Sequence, residues 1–394
     1  MFGFSNIFFD IFYNLRVFLS KLRISSPDSL YNILVKASFF RNCMSIFYTD
    51  PAAGPAPHPA QTADQTLAGL WRNAIQRFGD RPLIDDTGDG SKFTYSDSDE
   101  VVRKVMTRLA DEKLSKGDRV AVCAHQHAEG AFVFWAAVQS GLVFVPLDPL
   151  LPAQALEEIL GRIKPALVFC DSGLIPIFSS AAGGAKVVAL DDADNKPLPA
   201  GVARFSEWLG DKPPAKAVDL PAEADPAVIL FTSGTSGPPK GVLLSHGALF
   251  RSGALVADTY EWVERDVLFS AGDFHTMSGL RNPLIATLHA GACFLVAPPE
   301  TRTNALVVAE TIPAHQVTIL ATVPAMLRHL LACGERVEAR AMSSLRQAMC
   351  TGTTLTAELN QAFSKTFRIP VYNYYGLTET AGICIGMKPG HESD

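Results

Sequence analysis

The chain has 394 residues, 48% apolar and 19% charged, so it can bury a large core and does not have the composition of a disordered protein. Its 34 basic and 40 acidic residues give a net charge of −6, which does not favour a nucleic acid as partner. The seven cysteines are odd in number and form no CxxC pair, which predicts reduced thiols in a cytoplasmic protein and neither a disulfide framework nor a zinc site.

The first 50 residues differ in composition from the rest of the chain. They contain nine of the 24 phenylalanines and a single alanine, whereas the sequence from Pro51 onward is rich in Ala, Gly and Pro. We therefore expect an extension over residues 1–50, a Pro- and Ala-rich linker over residues 51–65 and one large domain over residues 66–394.

The extension contains a predicted amphipathic helix. Its apolar residues from Phe8 to Leu22 follow the i, i+3, i+4, i+7 spacing of one helical face, and basic residues lie around the other. The favoured interpretation is a helix that docks on the main body or belongs to a foreign extension. Peripheral membrane contact through residues 7–23 and a targeting function are the alternatives. Asp10 and Arg16 argue against a spanning helix.

Beyond residue 66, segments typical of helices alternate with segments typical of buried strands. This alternation predicts crossover connections and a mostly parallel sheet, and therefore an α/β fold. The apolar run 131–138 is too short to span a bilayer and predicts a buried helix. Residues 190–226, rich in Asp, Pro, Ala and Lys, predict an exposed connection. The predicted helices are 67–78, 97–114, 130–140 and 153–162, and the predicted strands include 92–96, 119–123, 143–146, 166–170 and 227–231.

A loop rich in glycine and hydroxyl residues follows the predicted strand 227–231. Its glycines allow backbone N–H groups to approach an anion closely, its hydroxyls add donors, and Lys240 adds a charge suited to phosphate. No GK[ST] sequence follows at the Walker spacing, so this is not a P-loop, and a flexible Gly/Ser turn is the structural alternative. The candidate phosphate-binding residues are Thr232, Ser233, Gly234, Thr235, Ser236, Gly237 and Lys240.

Residues 371–380 form a second candidate segment, an apolar and aromatic strand that ends in a glycine turn. Polar residues at the carboxyl end of a strand are where α/β sheets place ligand contacts. Tyr375 offers a flat face to a base, Thr378 can hydrogen-bond a phosphate, and Glu379 can give a carboxylate oxygen to Mg²⁺. Considered alone, an aromatic strand followed by a turn is common core material.

Together, the two segments resemble the adenylate-forming enzymes, the superfamily of acyl- and aryl-CoA synthetases, luciferases and nonribosomal peptide adenylation domains. Residues 141–149 and 345–355 resemble further segments of that family in the expected order, so the resemblance spans about residues 66–390. It implies the family's large N-terminal domain, with layered, mostly parallel sheets and flanking helices.

The resemblance also implies ligand contacts. The loop after Phe231 would embrace the β- and γ-phosphates of ATP, Thr378 would hold the α-phosphate and Glu379 the magnesium ion. His275 resembles the family position beside the incoming carboxylate, although a lone histidine outside a motif is more often structural. The remaining nucleotide contacts would come from Gly352, Thr353, Thr354, Tyr375 and Gly376.

His125 and His127 alternate on one face of a possible strand. No third ligand is visible near them in the sequence, so we do not expect a metal site there.

The implied reaction is attack of a carboxylate oxygen on the α-phosphorus of ATP, which gives an acyl-adenylate and pyrophosphate. Because the acid is already ionised, the protein has to position the reactants and neutralise charge, using Mg²⁺ and loop amides. The candidate catalytic residues are His275, Thr378, Glu379 and Lys240. A second step would transfer the acyl group to a thiol, either coenzyme A or the phosphopantetheine arm of an acyl carrier protein.

Members of that family continue with a Thr-Gly-Asp motif and a small C-terminal domain that bears a catalytic lysine. Residues 381–394 contain neither, so we expect the large domain to be incomplete at its C-terminus and adenylation by this chain alone to be weak or absent. We also expect exposed apolar surface at that end, which favours aggregation or partner binding.

Three functions are open. The favoured one is a truncated acyl- or aryl-CoA synthetase, since residues 273–275 resemble the CoA-ligase form of that segment. The others are an adenylation domain that loads a carrier protein and a noncatalytic nucleotide-binding or interaction module. Met277, Leu280 and Met326 predict an apolar pocket and therefore a fatty or aromatic acid rather than a charged one.

Overall fold

The computed structural model describes residues 64–181, 184–190, 197–211, 220–232, 239–334, 342–387 and 389. The extension predicted over residues 1–50, with its amphipathic helix, and nearly all of the predicted linker lie outside these residues. None of the helices described is both long enough and apolar enough to cross a membrane.

The strands alternate with helices along the chain. They are β1 (Pro82–Asp86), β2 (Lys92–Thr94), β3 (Arg119–Cys123), β4 (Val143–Leu147), β5 (Leu167–Cys170), β6 (Lys186–Ala189), β7 (Ala203–Arg204), β8 (Pro226–Thr232), β9 (Lys240–Ser245), β10 (Val267–Ser270), β11 (Cys293–Val296), β12 (Ile319–Thr322), β13 (Gln347–Cys350), β14 (Val371–Leu377) and β15 (Gly382–Gly386).

The helices connect these strands or pack on them. They are α1 (Leu67–Phe78), α2 (Tyr95–Asp111), α3 (Ala128–Gln139), α4 (Ala153–Ile163), α5 (Ile175–Ala181), α6 (Phe205–Leu209), α7 (His246–Thr259), α8 (Met277–Arg281), α9 (Thr287–Ala290), α10 (Pro299–Thr303), α11 (Ala305–Ala314), α12 (Pro324–Ala332) and α13 (Ala357–Phe367). One turn of π-helix, Asn282–Ala286, joins α8 to α9.

Within the described residues the strands form two sheets. One has eight strands in the order β15-β14-β13-β12-β10-β11-β1-β2, and the other has seven in the order β7-β6-β5-β3-β4-β8-β9. Neighbouring strands run parallel except at the edges, where the pairs β1–β2, β14–β15 and β8–β9 are antiparallel. The predicted α/β fold with mostly parallel sheets is therefore confirmed.

Helix α3 contacts strands of both sheets through its aromatic side chains. Phe134 meets Phe144 of β4 edge to face with ring centroids 5.1 Å apart, and Trp135 meets Phe294 of β11 at 6.2 Å. All but one of the residues of α3 are buried. The buried helix predicted for residues 131–138 is thus confirmed, and its apolar sequence reflects a position between two sheets rather than in a membrane.

Local capping decides where several helices begin. Helix α1 has the predicted bounds, and the Oγ1 atom of Thr66 accepts a hydrogen bond from the Gly69 amide at 3.0 Å. Helix α2 begins at Tyr95, earlier than predicted, because Thr94 and Asp97 form a reciprocal capping box at its start.

The exposed connection predicted for residues 190–226 needs correction. Part of it forms β7 and α6, in which Phe205 and Trp208 are buried. The Trp208 indole N–H donates at 3.0 Å to Glu112, the residue that follows α2, which ties this segment to the main body. Two aromatic residues in a polar, Pro-rich stretch are enough to anchor it.

Candidate functional site

The candidate site is a cavity of about 480 Å³ at the carboxyl ends of the parallel strands β13 and β14. Parallel strands present their carboxyl ends at one edge of a sheet, so the segments that follow them meet there. Arg281 is the one charged residue among those that line the described cavity. The lining residues are Met277, Ser278, Arg281, Thr351, Gly352, Thr353, Thr354, Asn373, Tyr374, Tyr375, Gly376, Leu377, Thr378 and Gly382.

This cavity brings together two sequence segments that were singled out independently. The loop after β13 supplies Gly352, Thr353 and Thr354, all exposed, and the end of β14 supplies Tyr375 and Thr378. The side chain of Tyr375 is 58% exposed, which leaves its ring accessible to a ligand. A planar aromatic face beside hydroxyl and amide groups suits a nucleobase and its sugar phosphate.

Gly376 has a backbone role that the sequence did not predict. Strand β14 continues through this residue and pairs with β15, and a Cβ atom at position 376 would lie 2.2 Å from the carbonyl oxygen of Gly382. Only glycine permits the two strands to approach so closely. The predicted glycine turn is therefore displaced to residues 378–381, where Ala381 has φ of 56°.

Thr378 and Glu379 lie on one turn of 3₁₀ helix but border different spaces. Thr378 lines the cavity described above, whereas the exposed Glu379 lines a neighbouring cavity of about 450 Å³. The second cavity is also bordered by Leu243 and Ser245 of β9. Glu379 therefore faces the hairpin that bears the predicted phosphate loop.

The β8–β9 hairpin positions the described ends of that loop. Thr232 is paired with Lys240 across the hairpin, and the Lys240 side chain is exposed. The Pro239 carbonyl oxygen accepts a hydrogen bond from the Arg162 guanidinium at 2.6 Å, which anchors the loop end to α4. The intervening candidates Ser233, Gly234, Thr235, Ser236 and Gly237 lie outside the described residues.

Helix α8 begins in a loop that is fixed by hydrogen bonds and one ion pair. The Thr276 Oγ1 atom accepts from the Gly279 amide at 3.1 Å and donates to the Asp273 carbonyl oxygen at 2.8 Å. The Asp273 carboxylate pairs with the buried guanidinium of Arg302, 2.7 Å away. This loop holds Met277, the first residue of α8, at the cavity.

His275 precedes α8 and is half-buried. It is not among the residues that line either of these cavities. Its Nε2 atom lies 3.8 Å from the Asp148 carboxylate, and burial lowers its pKa below the ordinary value, only partly offset by Asp148 and Asp273. The imidazole is therefore neutral at pH 7.

The apolar pocket predicted from Met277, Leu280 and Met326 is wrong for two of these residues. Leu280 is packed in the large core and Met326 in the smaller core of the eight-stranded sheet, so of the three only Met277 lines the cavity.

The sequence does not identify Arg281 as a cavity residue, although it lines the cavity wall. The available sequence signal was a lone charged residue within the largely apolar run 279–288.

His125 and His127 lie in the turn between β3 and α3 and at the start of α3, not on a strand. The Nε2 atom of His127 lies 2.9 Å from the Asp171 carboxylate. Across the described residues, no group of three or more His, Cys, Asp or Glu side chains is arranged to hold a metal ion.

The fold is of the α/β class, and its cavity lies at the carboxyl ends of parallel strands, where such folds place ligands. Residues 71–394 match the family described as AMP-binding enzyme, and the chain belongs to that family.

Relatives in sequence agree with this assignment, and solved structures agree with the fold. The chain is 30% identical over 298 residues to an L-proline–[L-prolyl-carrier protein] ligase of Streptomyces coelicolor, covering 73% of this chain and 55% of that protein. It is 28% identical to the uncharacterised acyl–CoA ligase YtcI of Bacillus subtilis, covering 83% of this chain and 60% of that protein. The fold resembles a benzoate CoA ligase from Burkholderia xenovorans, with a TM-score of 0.74 at 21% identity over 83% of this chain and 64% of that one.

Proposed function

We propose that this chain activates a carboxylic acid by forming an acyl-adenylate from ATP. The observation that supports this most directly is the single cavity in which residues 352–354 meet Tyr375 and Thr378. The chain spans little more than half the length of the two relatives described above, so the activity of the whole protein is part of the proposal.

The nucleotide would lie along the mouth of this cavity. The exposed ring of Tyr375 stacks on adenine, and the loop at 352–354 surrounds the base edge with amide and hydroxyl groups. Thr378 donates to the α-phosphate. Lys240, with the loop that ends at Pro239, contacts the β- and γ-phosphates through its exposed ammonium group.

The residues present fit a magnesium ion that is shared with ATP. Such an ion is bound by one or two carboxylates and substrate phosphates rather than by a full protein cage. Glu379 is exposed and borders a cavity with residues of β9, the strand that begins at Lys240, so its carboxylate is available beside this hairpin. When bound, Mg²⁺ would neutralise phosphate charge and favour loss of pyrophosphate.

The acid would enter from the side of α8. Its carboxylate attacks the α-phosphorus, the bond from that phosphorus to the bridging oxygen breaks, and pyrophosphate leaves. His275 stays neutral and can donate a hydrogen bond to the incoming carboxylate, which is already ionised and needs no general base. The final acceptor is a thiol, coenzyme A or a carrier-bound phosphopantetheine, and relatives named for each kind support the thiol without selecting one.

The experiment compares ATP binding to three forms of the protein by isothermal titration calorimetry. We expect Tyr375→Ala to weaken ATP binding by about tenfold, because stacking on an aromatic ring contributes about 1–3 kcal/mol. Tyr375→Phe keeps the aromatic face and should bind ATP as the wild type does. No measurable ATP binding by the wild type would contradict the proposal.

Acid-dependent exchange of labelled pyrophosphate into ATP tests the chemical step. Exchange that appears only with a carboxylic acid supports adenylation. ATP binding without exchange for any acid in a panel of aliphatic, aromatic and dicarboxylic acids would favour the noncatalytic nucleotide-binding module instead.

A further inference from the structure

Arg281 is a buried cation at the cavity wall. Only 1% of its surface is exposed, yet it is one of the residues that line the cavity. Its hydrogen bonds go to neutral groups: Nε and Nη2 donate to the Asn282 side-chain oxygen at 3.1 and 2.9 Å, and Nη2 also donates to the Tyr374 hydroxyl at 3.3 Å. The guanidinium carbon lies 5.4 Å from the centre of the Tyr374 ring.

Two other largely buried ion pairs show what is missing at Arg281. Arg302, 3% exposed, pairs with Asp273, and the fully buried Asp266 carboxylate pairs with Arg346 at 2.6 Å. In the described part of the chain, Arg281 makes no ion pair with an Asp or Glu side chain. A buried charge without a counter-ion is unfavourable, so a protein that keeps one gains from it in another state.

The free donor of Arg281 is its Nη1 group, for which the described residues provide no hydrogen-bond acceptor. This group lies against Gly382, where a Cβ atom would come within 2.2 Å of Nη1. Gly382 also has φ of 124°, a conformation that disfavours other residues. The backbone at this point therefore leaves room for the guanidinium beside the cavity.

We infer that Arg281 binds a second carboxylate of the acid substrate, so that the enzyme's substrate class is short dicarboxylic acids. This inference rests on the proposed adenylation. Arg281 lies on α8 with Met277 and Ser278, the helix from whose side the acid is proposed to enter the cavity.

The charge of Arg281 also determines which acids would bind poorly. A guanidinium group pairs well with a carboxylate and repels an ammonium group. The nearby Asp273 is already neutralised by Arg302 and is not among the cavity-lining residues. An α-amino acid would therefore meet a positive charge without a compensating carboxylate, and an unsubstituted fatty acid would leave Arg281 unpaired.

The test measures binding of acid pairs that have equal chain length, glutarate against valerate and succinate against butyrate, by calorimetry in the presence of ATP and Mg²⁺. We expect the wild type to bind each dicarboxylate at least about tenfold more tightly than its partner, because a charge-assisted hydrogen bond in a buried site is strong. Arg281→Met should reduce this ratio to about one, and Arg281→Lys should retain part of it.

A second readout separates recognition from a structural role. Arg281→Met also removes the hydrogen bonds to Asn282 and Tyr374, so the informative quantity is the affinity of the folded variant for butyrate and valerate, which we expect to equal that of the wild type. If Arg281 had only a structural role, Arg281→Met would weaken monocarboxylate and dicarboxylate binding equally, which would overturn the inference. Arg328→Gln, at an exposed position on α12, removes the same charge elsewhere and should change neither the binding ratio nor the affinity for butyrate and valerate.

Two further outcomes are decisive. Equal binding of mono- and dicarboxylates by the wild type overturns the inference even where ATP binds as proposed. Loss of ATP binding in Arg281→Met assigns the guanidinium to the α-phosphate and also overturns it. If the wild type binds the dicarboxylates selectively but not ATP, the proposed adenylation fails while the anion site at Arg281 is supported.

Discussion

Glu379 and Thr378 are adjacent in sequence and border different cavities. A single turn of 3₁₀ helix ends at Ala381, whose positive φ reverses the chain into β15. The turn thus places Thr378 at the cavity proposed to hold the nucleotide, while Glu379 borders the cavity beside β9. The proposed magnesium site requires this arrangement, because Glu379 has to be free of the cavity that Thr378 lines.

We expect Glu379→Gln to remove most of the effect of Mg²⁺ on ATP binding. The amide keeps the size of the side chain but loses the charged oxygen that a hard cation prefers. The ratio of ATP affinities measured with Mg²⁺ and with EDTA should fall by about tenfold relative to the wild type. Glu358→Gln, exposed on α13, is the matched control, and an unchanged ratio in Glu379→Gln would exclude Glu379 as a ligand.

Sequence patterns identify residues whose candidate role is visible from their neighbours along the chain. They miss residues whose burial depends on contacts with distant parts of the chain. Thr378 and Tyr375 stand out because glycine, hydroxyl and aromatic residues are concentrated in one short segment. Arg281 does not, because its burial depends on Tyr374, which lies 93 residues further along the chain. Leu280, its neighbour, was assigned to the pocket although it is fully buried in the core.

At the scale of elements, α8 is short and its position depends on how it begins. Its five residues cannot be stable as an isolated helix, so the cap at Thr276 and the fixed loop before it hold it at the cavity. A helix of this kind transmits small changes at its start directly to Arg281 at its end.

We therefore expect Thr276→Ala to destabilise the protein by about 1 kcal/mol and to weaken acid binding as well. Thr94→Ala is the control, because Thr94 also caps a helix through its hydroxyl but belongs to α2. Unfolding in urea should show a similar loss for both variants, whereas calorimetry should show weaker acid binding for Thr276→Ala alone. Equal acid binding by the two variants would mean that the cap does not position α8.

Periodic apolar residues made the main elements predictable. Residues 67–78 form α1 with the expected bounds because one apolar face is followed by charged residues and a glycine. Sequence patterns do not predict α6 because its five residues are too few to show a period, and because the sequence on either side is rich in Pro, Ala and Gly. Its position depends on the distant contact between Trp208 and Glu112.

At the scale of the whole molecule, packing helices between two sheets buries several histidines along with the apolar core. His246 and His289 are held in environments that lower the pKa of each imidazole to about 4, chiefly because burial disfavours the charged form. The Nε2–H group of His289 can donate to the Phe250 carbonyl oxygen at 3.0 Å. The folded state is therefore most stable when these two histidines are neutral.

This dependence predicts that acid destabilises the protein before most carboxylates titrate. An unfolded histidine takes up its proton near pH 6.5, whereas His246 in the folded chain does so only near pH 4. Stability from the neutral form is thus fully present above about pH 6.5 and is lost as the pH falls toward 4, by up to about 1.4 kcal/mol per pH unit for each such histidine.

His246→Leu isolates this contribution. The nearby carboxylates of Asp225 and Asp64 raise the pKa of His246, but they offset the lowering by burial only in part. Because the variant lacks this group, we expect it to lose less stability than the wild type between pH 6.5 and 5. Urea unfolding across that range measures the difference, and subtracting the wild-type curve cancels the carboxylates common to both proteins. His329→Leu, at an exposed position, should follow the wild-type curve. Parallel curves for His246→Leu and the wild type would show that the pKa of His246 is the same in the folded and the unfolded chain.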